Sequence, residues 1–565
     1  MTFHDSPTHR ASVDDADPLG ARDATDDLQT LNGDDLPRDI RGYHQRTKHA
    51  PNRYALGPAF LDWTSQPSPY RSFAGSPRIM LPLRDGGETP SFPGPAPRAA
   101  RLDRDALGLF LELAFGISAW KSVEGATWAL RNNPSSGNLH PTEAWLILGE
   151  GDVGATGAAI YHYAPLDHAL ETRAEIACAD GLPRGGFLLA LGSIPWREAW
   201  KYGERAFRYC QLDAGHAVGA AAQAAAALGW RAHVLAEPSD DEIAALLGLK
   251  RDDAAHRHEP EHPELLAWIE VDDTLPGSFD PRRLIDGARV WRGTASRLSE
   301  DHDGWPLVDL AFRLCRKPRG AAIAGPAPKA YLTQDARGPS VAEVVRGRRS
   351  AQRFDGKSIL PRAAFDSMLA ATMPGAEPLL AAFPWPAALT LVLFVHRVEG
   401  LEPGLYLLAR DAGLAERLRA ACSQGFDWTP VDPGDAPLFR LRVGDVEREA
   451  ARLACLQAIS GKGCFSLAMI ADFDRTLDLE GAFAYRRLHW EAGLIGQALY
   501  LCASARGFSG TGIGCFFDDE VHALLGLAID QTAFQDIYHF TVGAPVEDAR
   551  ILTLPPYPEE RRIRP

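Results

Sequence analysis

Residues 131–145, RNNPSSGNLHPTEAW, gather the groups that a flat polar ring system needs beside it. Pro134 stiffens the loop, Ser135 and Ser136 offer hydroxyls, Gly137 removes a side chain and Asn138 offers an amide. The same residue types also build ordinary turns for conformational reasons alone. A second group places Arg348, Arg349, Ser350 and Arg353 within six residues. Planar guanidiniums pair bidentately with phosphate oxygens, so this run suits a phosphate dianion, a solvated basic helix end being the plain alternative. A third, GFSGTGIGCFFDD, carries Gly507, Gly510, Gly512 and Gly514, which would let backbone approach a ligand closely. It follows an apolar helix and does not open one after a strand, which excludes a dinucleotide fingerprint.

The elements that must position these groups come in two copies. After Pro141 the run Ala144 to Leu148 is short and apolar, as expected of a buried strand. Residues 214–249 align without a gap on residues 492–527 at a constant offset of 278. Ala-Gly opens both segments, a small-residue helical run closes at Gly229 or Gly507, and each reaches DDE followed by ALLGL. A second offset, 245, sets HPTEAWLIL on WPAALTLVL and Tyr161 on Tyr406. The chain is therefore a tandem duplication, and its 565 residues exceed what a single core usually supports. The copies have diverged in complementary ways. Opposite Pro134 to Asn138 stand Leu379, Leu380, Ala381, Ala382 and Phe383, with no hydrogen-bonding side chain. Where copy two has Arg-Arg-Ser, copy one has a Pro/Gly-rich stretch, and opposite GFSGTGIGCFFDD it has WRAHVLAEPSDD.

The Pro-Ser-Ser-Gly-Asn loop and the Arg-Arg-Ser run resemble the flavin-contacting segments of the nitroreductase superfamily. That resemblance implies FMN as cofactor, held by Arg131, Pro134, Ser135, Ser136 and Asn138 of copy one and by Arg348, Arg349, Ser350, Arg353, Gly512 and Gly514 of copy two. In that family two subunits intertwine and both contribute to each flavin, so the complementary losses imply one composite site per chain. A narrower likeness lies in REAWKYGERAFRYCQLDAGHA, residues 197–217, with YHQRTKH and YHYAPLDHALE. It is similar to SagB-type azoline dehydrogenases, which oxidise thiazolines and oxazolines in ribosomal peptides to azoles. By that likeness Lys201 and Tyr202 are the acid/base pair, and Arg197, Arg205 and Arg208 could depress the lysine if the fold brings them near. Copy two has Asp478, Leu479, Glu480 and Gly481 in place of the Lys-Tyr region.

The expected fold is α+β: two nitroreductase-like domains, antiparallel sheets flanked by helices, packed as an intramolecular pseudo-dimer. The boundaries are an acidic disordered tail at 1–40 with ten Asp, domain one at 41–280, a linker at 281–340 and domain two at 341–565. A net charge of −15 argues against nucleic-acid binding. No stretch of about 18 apolar residues points to a membrane span, and a cytoplasmic location is expected. Eight scattered cysteines without a C-x-x-C fit a reducing compartment, and Cys515 is expected to be a packing residue. HRHEPEHPE, with His256, His258 and His262, matches no zinc spacing and no metal is expected; His140 and His216 receive no catalytic role. The sequence thus predicts an FMN-dependent dehydrogenase acting on a small-molecule or peptide substrate, with possible biosynthetic partner proteins. The alternatives are an NAD(P)H-dependent nitro or quinone reductase and a flavin-binding scaffold.

Overall fold

A computed structural model describes residues 36–558 apart from 85–88, 95, 154–156, 178–180, 276–279, 286–288, 321–324, 331–337, 424 and 432–435, with the backbone of 562 and 563 in addition. The acidic tail up to residue 35 lies outside the described residues. A hairpin of β1 (Ile117–Val123) and β2 (Ala126–Arg131) precedes the loop, and the first sheet follows it. That sheet holds β3 (Thr142–Leu148), β4 (Ala159–Ala164), β5 (Ala169–Ile176), β6 (Gly186–Ser193), β7 (Arg231–Val234), β8 (His262–Glu270) and β9 (Arg289–Trp291). Their order is β7-β8-β6-β3-β4-β5-β9, and Arg78–Met80 adds to β5 as an eighth strand.

The second sheet holds β10 (Leu389–Val395), β11 (Gly404–Leu408), β12 (Thr429–Pro430), β13 (Leu438–Val443), β14 (Phe465–Asp472), β15 (Ser509–Ile513) and β16 (Phe534–Gly543). Read from its far edge the order is β15-β16-β14-β10-β11-β13-β12, which matches the first sheet place for place. All these pairings are antiparallel. The fold is α+β as expected.

β3 and β10 are apolar throughout most of their length because both faces are covered. On β3, Leu146 and Leu148 join the large core between the copies, while Trp145 and Ile147 join a second cluster with Ile243, Leu246 and Leu247. The helices that cover the sheets are α1 (Ile40–Arg46), α2 (Arg104–Phe115), α3 (Trp196–Tyr202), α4 (Ala206–Ala227), α5 (Asp240–Leu247), α6 (Pro306–Leu314), α7 (Val341–Gly347), α8 (Ala484–Ser504) and α9 (Asp518–Leu525). The repeated DDE–ALLGL segments become α5 and α9, acidic in the first turn and stopped by Gly248 and Gly526 in the left-handed region at φ 67° and 68°. Acids at the positive helix end and glycine after the last turn suit those places.

α4 and α8 cross at the centre of the molecule through equivalent glycines. A methyl on Gly215 would meet the Trp490 carbonyl oxygen at 2.3 Å, and one on Gly493 would meet the Leu212 carbonyl oxygen at 2.3 Å. Gly215 and Gly493, like Leu212 and Trp490, are related by the offset of 278, so the two contacts are one contact seen from either side of a pseudo-two-fold axis. Gly493→Ala should lower stability by about 2–3 kcal/mol, since backbone has to move. Gly219→Ala should cost less because its methyl meets the Gln497 side chain. Denaturant midpoints of the two variants check the order.

A second pair of equivalent contacts locks the copies. Arg208 on α4 donates to Asp518 at 2.6 Å and Arg486 on α8 donates to Asp240 at 2.5 Å; all four are buried. Chain ahead of each copy completes the lock, with the His49 amide donating to Asp518 and the Lys317 amide to Asp240, both at 2.8 Å. Lys317 follows α6, within the stretch read as linker, and β9 in the same stretch pairs with β5. Among the described residues no helix is long and apolar enough to cross a membrane.

Candidate functional site

The loop between β2 and β3 is held in an unusual backbone conformation by its own side chains. Gly137, Asn138 and His140 have φ of 57°, 61° and 53°, a region costly for residues with a Cβ and common where a site constrains the chain. The His140 amide donates to Ser135 Oγ at 2.7 Å, Asn138 Nδ2 donates to the Ala129 carbonyl at 2.8 Å, and Asn138 Oδ1 meets His140 Nε2 at 3.0 Å. The Asn138 amide is thus engaged inside the loop. Ser136 is fixed from α4, its amide and hydroxyl each donating to Asp213 Oδ1 at 3.0 Å.

Copy two's Arg-Arg-Ser run docks on this loop's approach. α7 is stopped at Arg348 after a capping box of Ser340 and Glu343. Arg348 then reaches into copy one, donating to the carbonyls of Asn132 at 3.3 Å and Arg131 at 3.1 Å, and Arg349 donates to the Ser118 carbonyl at 3.3 Å. Arg131 lies at the end of β2, and its guanidinium meets the Pro69 carbonyl. Arg131, Arg348 and Arg349 have no carboxylate partner among the described residues, and Arg131 Nε and Arg348 Nη1 are buried without a hydrogen bond. Burial, reinforced by Arg348, pushes Arg349 down to about 10, and burial followed by the charges of Arg131, Arg197 and Arg348 holds His140 well below the ordinary histidine range. Positive charge is thus concentrated here without an ion pair among the described residues. Arg353 is exposed and faces Asp548.

β15 lies along the same run. Ser350 pairs with Gly510 in a parallel bridge, and Thr511 Oγ1 donates to the Ala351 carbonyl at 2.7 Å. Tyr500 of α8 ties them together, its hydroxyl meeting Ser350 Oγ at 2.8 Å and accepting the Gly512 amide at 3.0 Å, with Arg348 over its ring. The space beside Gly512 and Gly514 is taken by protein. A methyl on Gly512 would lie 1.8 Å from Tyr538 Oη, and one on Gly514 would lie 2.1 Å from the Tyr209 ring. The Tyr538 hydroxyl in turn meets His216 Nε2 at 3.1 Å.

Lys201 and Tyr202 close α3, and Tyr202 reaches the loop. A methyl on Gly137 would lie 2.5 Å from Tyr202 Oη, so the phenol rests on the loop's glycine. Lys201 Nζ sits 5.4 Å from the centre of the Tyr202 ring, and Tyr202 stacks obliquely on Tyr209 at 4.5 Å. The three arginines considered as neighbours of Lys201 are engaged elsewhere. Arg197 donates to Glu143 and to the His140 carbonyl, and Arg205 and Arg208 bind Asp518. The charge beside Lys201 is Glu198, one turn earlier on α3.

Glu198, Asp213, Tyr500 and Tyr538 lie among the residues expected to form the site, and the sequence did not single them out. Tyr500 left a trace, since the 278 offset pairs it with Ala222. Glu198 left a weaker one as the residue three before Lys201 on the same helical face. Cys515, expected as a packing residue, is half-buried beside Cys455. A hydrogen bond from Cys455 and the Arg205 guanidinium hold its thiol below the ordinary range, against burial. The carboxylates of HRHEPEHPE are structural: Glu259 binds Arg71 and His302, Glu261 accepts Trp145 Nε1 at 2.6 Å, and Glu264 binds Arg486.

The pseudo-symmetric position in the second copy is filled. Leu379, Phe383, Trp385, Phe483 and Trp490 are all buried there, with Trp385 packed against Phe383, Phe483 and Trp490. Glu491, the 278-offset partner of Asp213, is ion-paired with Arg410. Glu480, partner of Tyr202, binds Arg487 at 2.6 Å. In the first copy, by contrast, Arg131, Arg348 and Arg349 gather beside the loop and Tyr202 rests on Gly137 with Lys201 over its ring.

Comparison with known proteins agrees with this architecture. The nitroreductase family profile matches the chain twice, over residues 99–256 and 345–544. A protein of Methanocaldococcus jannaschii named as a nitroreductase is 28% identical over 88 residues, which is 16% of this chain and 44% of that protein, so the match spans less than half of the relative. A crystal structure from Anabaena variabilis, described as a nitroreductase, superposes with a TM-score of 0.66 at 21% identity, covering 90% of this chain and 100% of that one. A chain of the Escherichia coli microcin synthetase McbBCD complex aligns at 22% identity with a TM-score of 0.25, covering 32% of this chain and 70% of that one. With two matched segments that together take up more than half of its residues, one on each of two sheets with the same strand order, this chain belongs to the nitroreductase family.

Proposed function

We propose that the chain is an FMN-dependent dehydrogenase that oxidises a small or peptide-borne substrate in an azoline-to-azole type of reaction. Arg131, Arg348 and Arg349 would hold the phosphate, and Ser135, Ser136 and Ser350 would lie along the ring system. FMN supplies a two-electron hydride acceptor when bound. The chain supplies the proton chemistry. Lys201 as the free amine would take the carbon-bound proton, and Tyr202, its hydroxyl held against Gly137, would fix the substrate edge between the lysine and the loop. A peptide-borne substrate would arrive with other biosynthetic proteins.

One juxtaposition supports this reading: Tyr202 rests on Gly137 of the Ser-rich loop with Lys201 Nζ 5.4 Å from its ring, in the copy that keeps that loop, and the other copy lacks both residues. The test is oxygen uptake with a thiazoline-bearing peptide, set against NAD(P)H consumption without substrate. Substrate-dependent oxygen uptake is expected, falling about 100-fold or more in Lys201→Ala with flavin content unchanged. Steady NAD(P)H oxidation without substrate, insensitive to Lys201→Ala, would favour a nitro or quinone reductase. Bound flavin with neither activity would favour a scaffold.

A further inference from the structure

Two carboxyl groups beside the proposed base are buried. Glu198 on α3 is fully buried, and both of its oxygens lack a well-aligned hydrogen bond. Asp213 on α4 is also buried and receives only the amide and hydroxyl of Ser136 as well-aligned donors. Neither takes part in an ion pair among the described residues. The groups facing them are each other, Ser135, Lys201, Tyr202, Cys210 and Tyr538. Lys201 is the one cation in that set. Removing two carboxylates from water without a partner is costly, and two so close cannot both ionise, so they keep a proton between them.

The second copy shows that this is not a packing requirement. Glu491 takes Asp213's place on α8 and accepts the Ala388 amide at 3.0 Å, much as Asp213 accepts that of Ser136, yet it is neutralised by Arg410. The copy that lost the loop and the Lys-Tyr pair has a closed ion pair. The copy that kept them has two buried acids with no ion pair among the described residues. Glu198, Lys201 and Tyr202 stand at i, i+3 and i+4 on one face of α3.

We propose that Glu198 and Asp213 are a proton-holding pair that exchanges with Lys201, storing the proton that the lysine removes from substrate. This rests on the dehydrogenase reading for the substrate step. There a carbon–hydrogen bond breaks and its proton forms an N–H bond at Lys201 Nζ. The electron pair left on carbon enters the new double bond, and the second hydrogen leaves with its pair as a hydride, for which bound FMN would be the two-electron acceptor. The ammonium then gives its proton to the carboxylate of the pair, which becomes a doubly protonated neutral pair and returns Lys201 to the free amine. Both carboxyls act through Lys201, so they are positioning residues.

The pair can be read without turnover. Burial, against the hydrogen bonds from Ser135 and Ser136, pushes Asp213 up to about 7, and burial followed by the Asp213 charge pushes Glu198 well above the carboxylate range. Infrared difference spectra of the full-length protein, titrated across neutral pH, should show a buried carboxylic-acid band lost near 7. Glu198→Gln and Asp213→Asn should each alter it, and Lys201→Met should shift its midpoint by removing the group with which the pair exchanges its proton. A spectrum without such a band, or a midpoint indifferent to Lys201→Met, overturns the proposal. With a working azoline assay, Glu198→Gln should lower kcat about 100-fold with little change in KM or flavin content, and remove the limb near neutral pH from the rate profile. A full-rate Glu198→Gln enzyme also overturns it. If the wild-type protein oxidises no azoline, the dehydrogenase reading fails, and the infrared arms still decide whether the pair exchanges with Lys201.

Discussion

Asp518→Asn should cost about 3–5 kcal/mol of stability, the range for removing one member of a buried ion pair. Asp518 accepts Arg208 at 2.6 Å, Arg205 at 3.0 Å and the His49 amide at 2.8 Å, so neutralising it leaves two guanidiniums buried without their carboxylate. Because Arg208 belongs to copy one and Asp518 to copy two, the loss falls on the association of the copies as much as on either sheet. Replacing Arg205, Arg208 and Asp518 together by apolar residues should cost less than the single change, since no member of the cluster is then left as an unpaired buried charge. The pH dependence has a definite sign. Burial alone would raise the Asp518 carboxyl, but Arg205 and Arg208 hold it well below its ordinary value of 3.8. A depressed acid stabilises the fold fully above its unfolded value and loses that contribution as pH falls toward the folded one. Wild-type stability should therefore fall on acidification below about pH 4, and Asp518→Asn should flatten that limb. Denaturant unfolding at several pH values checks both the size and the slope; equal acid limbs in the two proteins would mean that Asp518 is not charged in the fold.

Much of this interlocking was written in the repeat. The offset of 278 that aligns DDE with DDE also relates Arg208 to Arg486, Asp240 to Asp518 and Gly215 to Gly493, each residue contacting the other copy. A duplicated chain that folds as a pseudo-dimer retains in both copies the residues that touch across the axis, so sequence self-similarity becomes a map of the interface. The buried strands were legible for the same reason as their burial: an apolar run flanked by turn residues. Other features had no local signature. Glu198 and Asp213 are ordinary acids in amphipathic-looking helices until α3 and α4 bring them together. The glycines of β15 suggested an open approach for a ligand, yet the room they leave belongs to Tyr538 and Tyr209, which lie far away in sequence. Arg205 and Arg208 sit close to Lys201 along the chain, and the turn between α3 and α4 sends them to Asp518 instead. Adjacency in sequence was a poor guide wherever a helix ended between two residues.

One flavin per chain is the expected stoichiometry, and replacing Arg348 by methionine should abolish it. Arg348 bridges the copies, its Nε and Nη2 on the carbonyls of Asn132 and Arg131 and its Nη1 buried with no partner. With Arg131 and Arg349 it forms a cationic end that has no carboxylate partner among the described residues. An anionic cofactor binding there would gain charge-assisted hydrogen bonds and relieve mutual repulsion, so losing the central guanidinium should weaken binding by far more than 10-fold. The pseudo-symmetric position offers no such end. Leu379, Phe383 and Trp385 fill it, and Arg410 and Arg487 are committed to Glu491 and Glu480. Flavin released from the purified protein and quantified against chain concentration gives the stoichiometry. Two control variants separate binding from folding: Phe383→Leu, in the filled position, should leave flavin content at one, and Arg348→Lys, which keeps the charge but not the fork, should restore part of what Arg348→Met loses. Two flavins per chain would show that the aromatic plug opens, and flavin content unaffected by Arg348→Met would move the phosphate away from the junction between the copies.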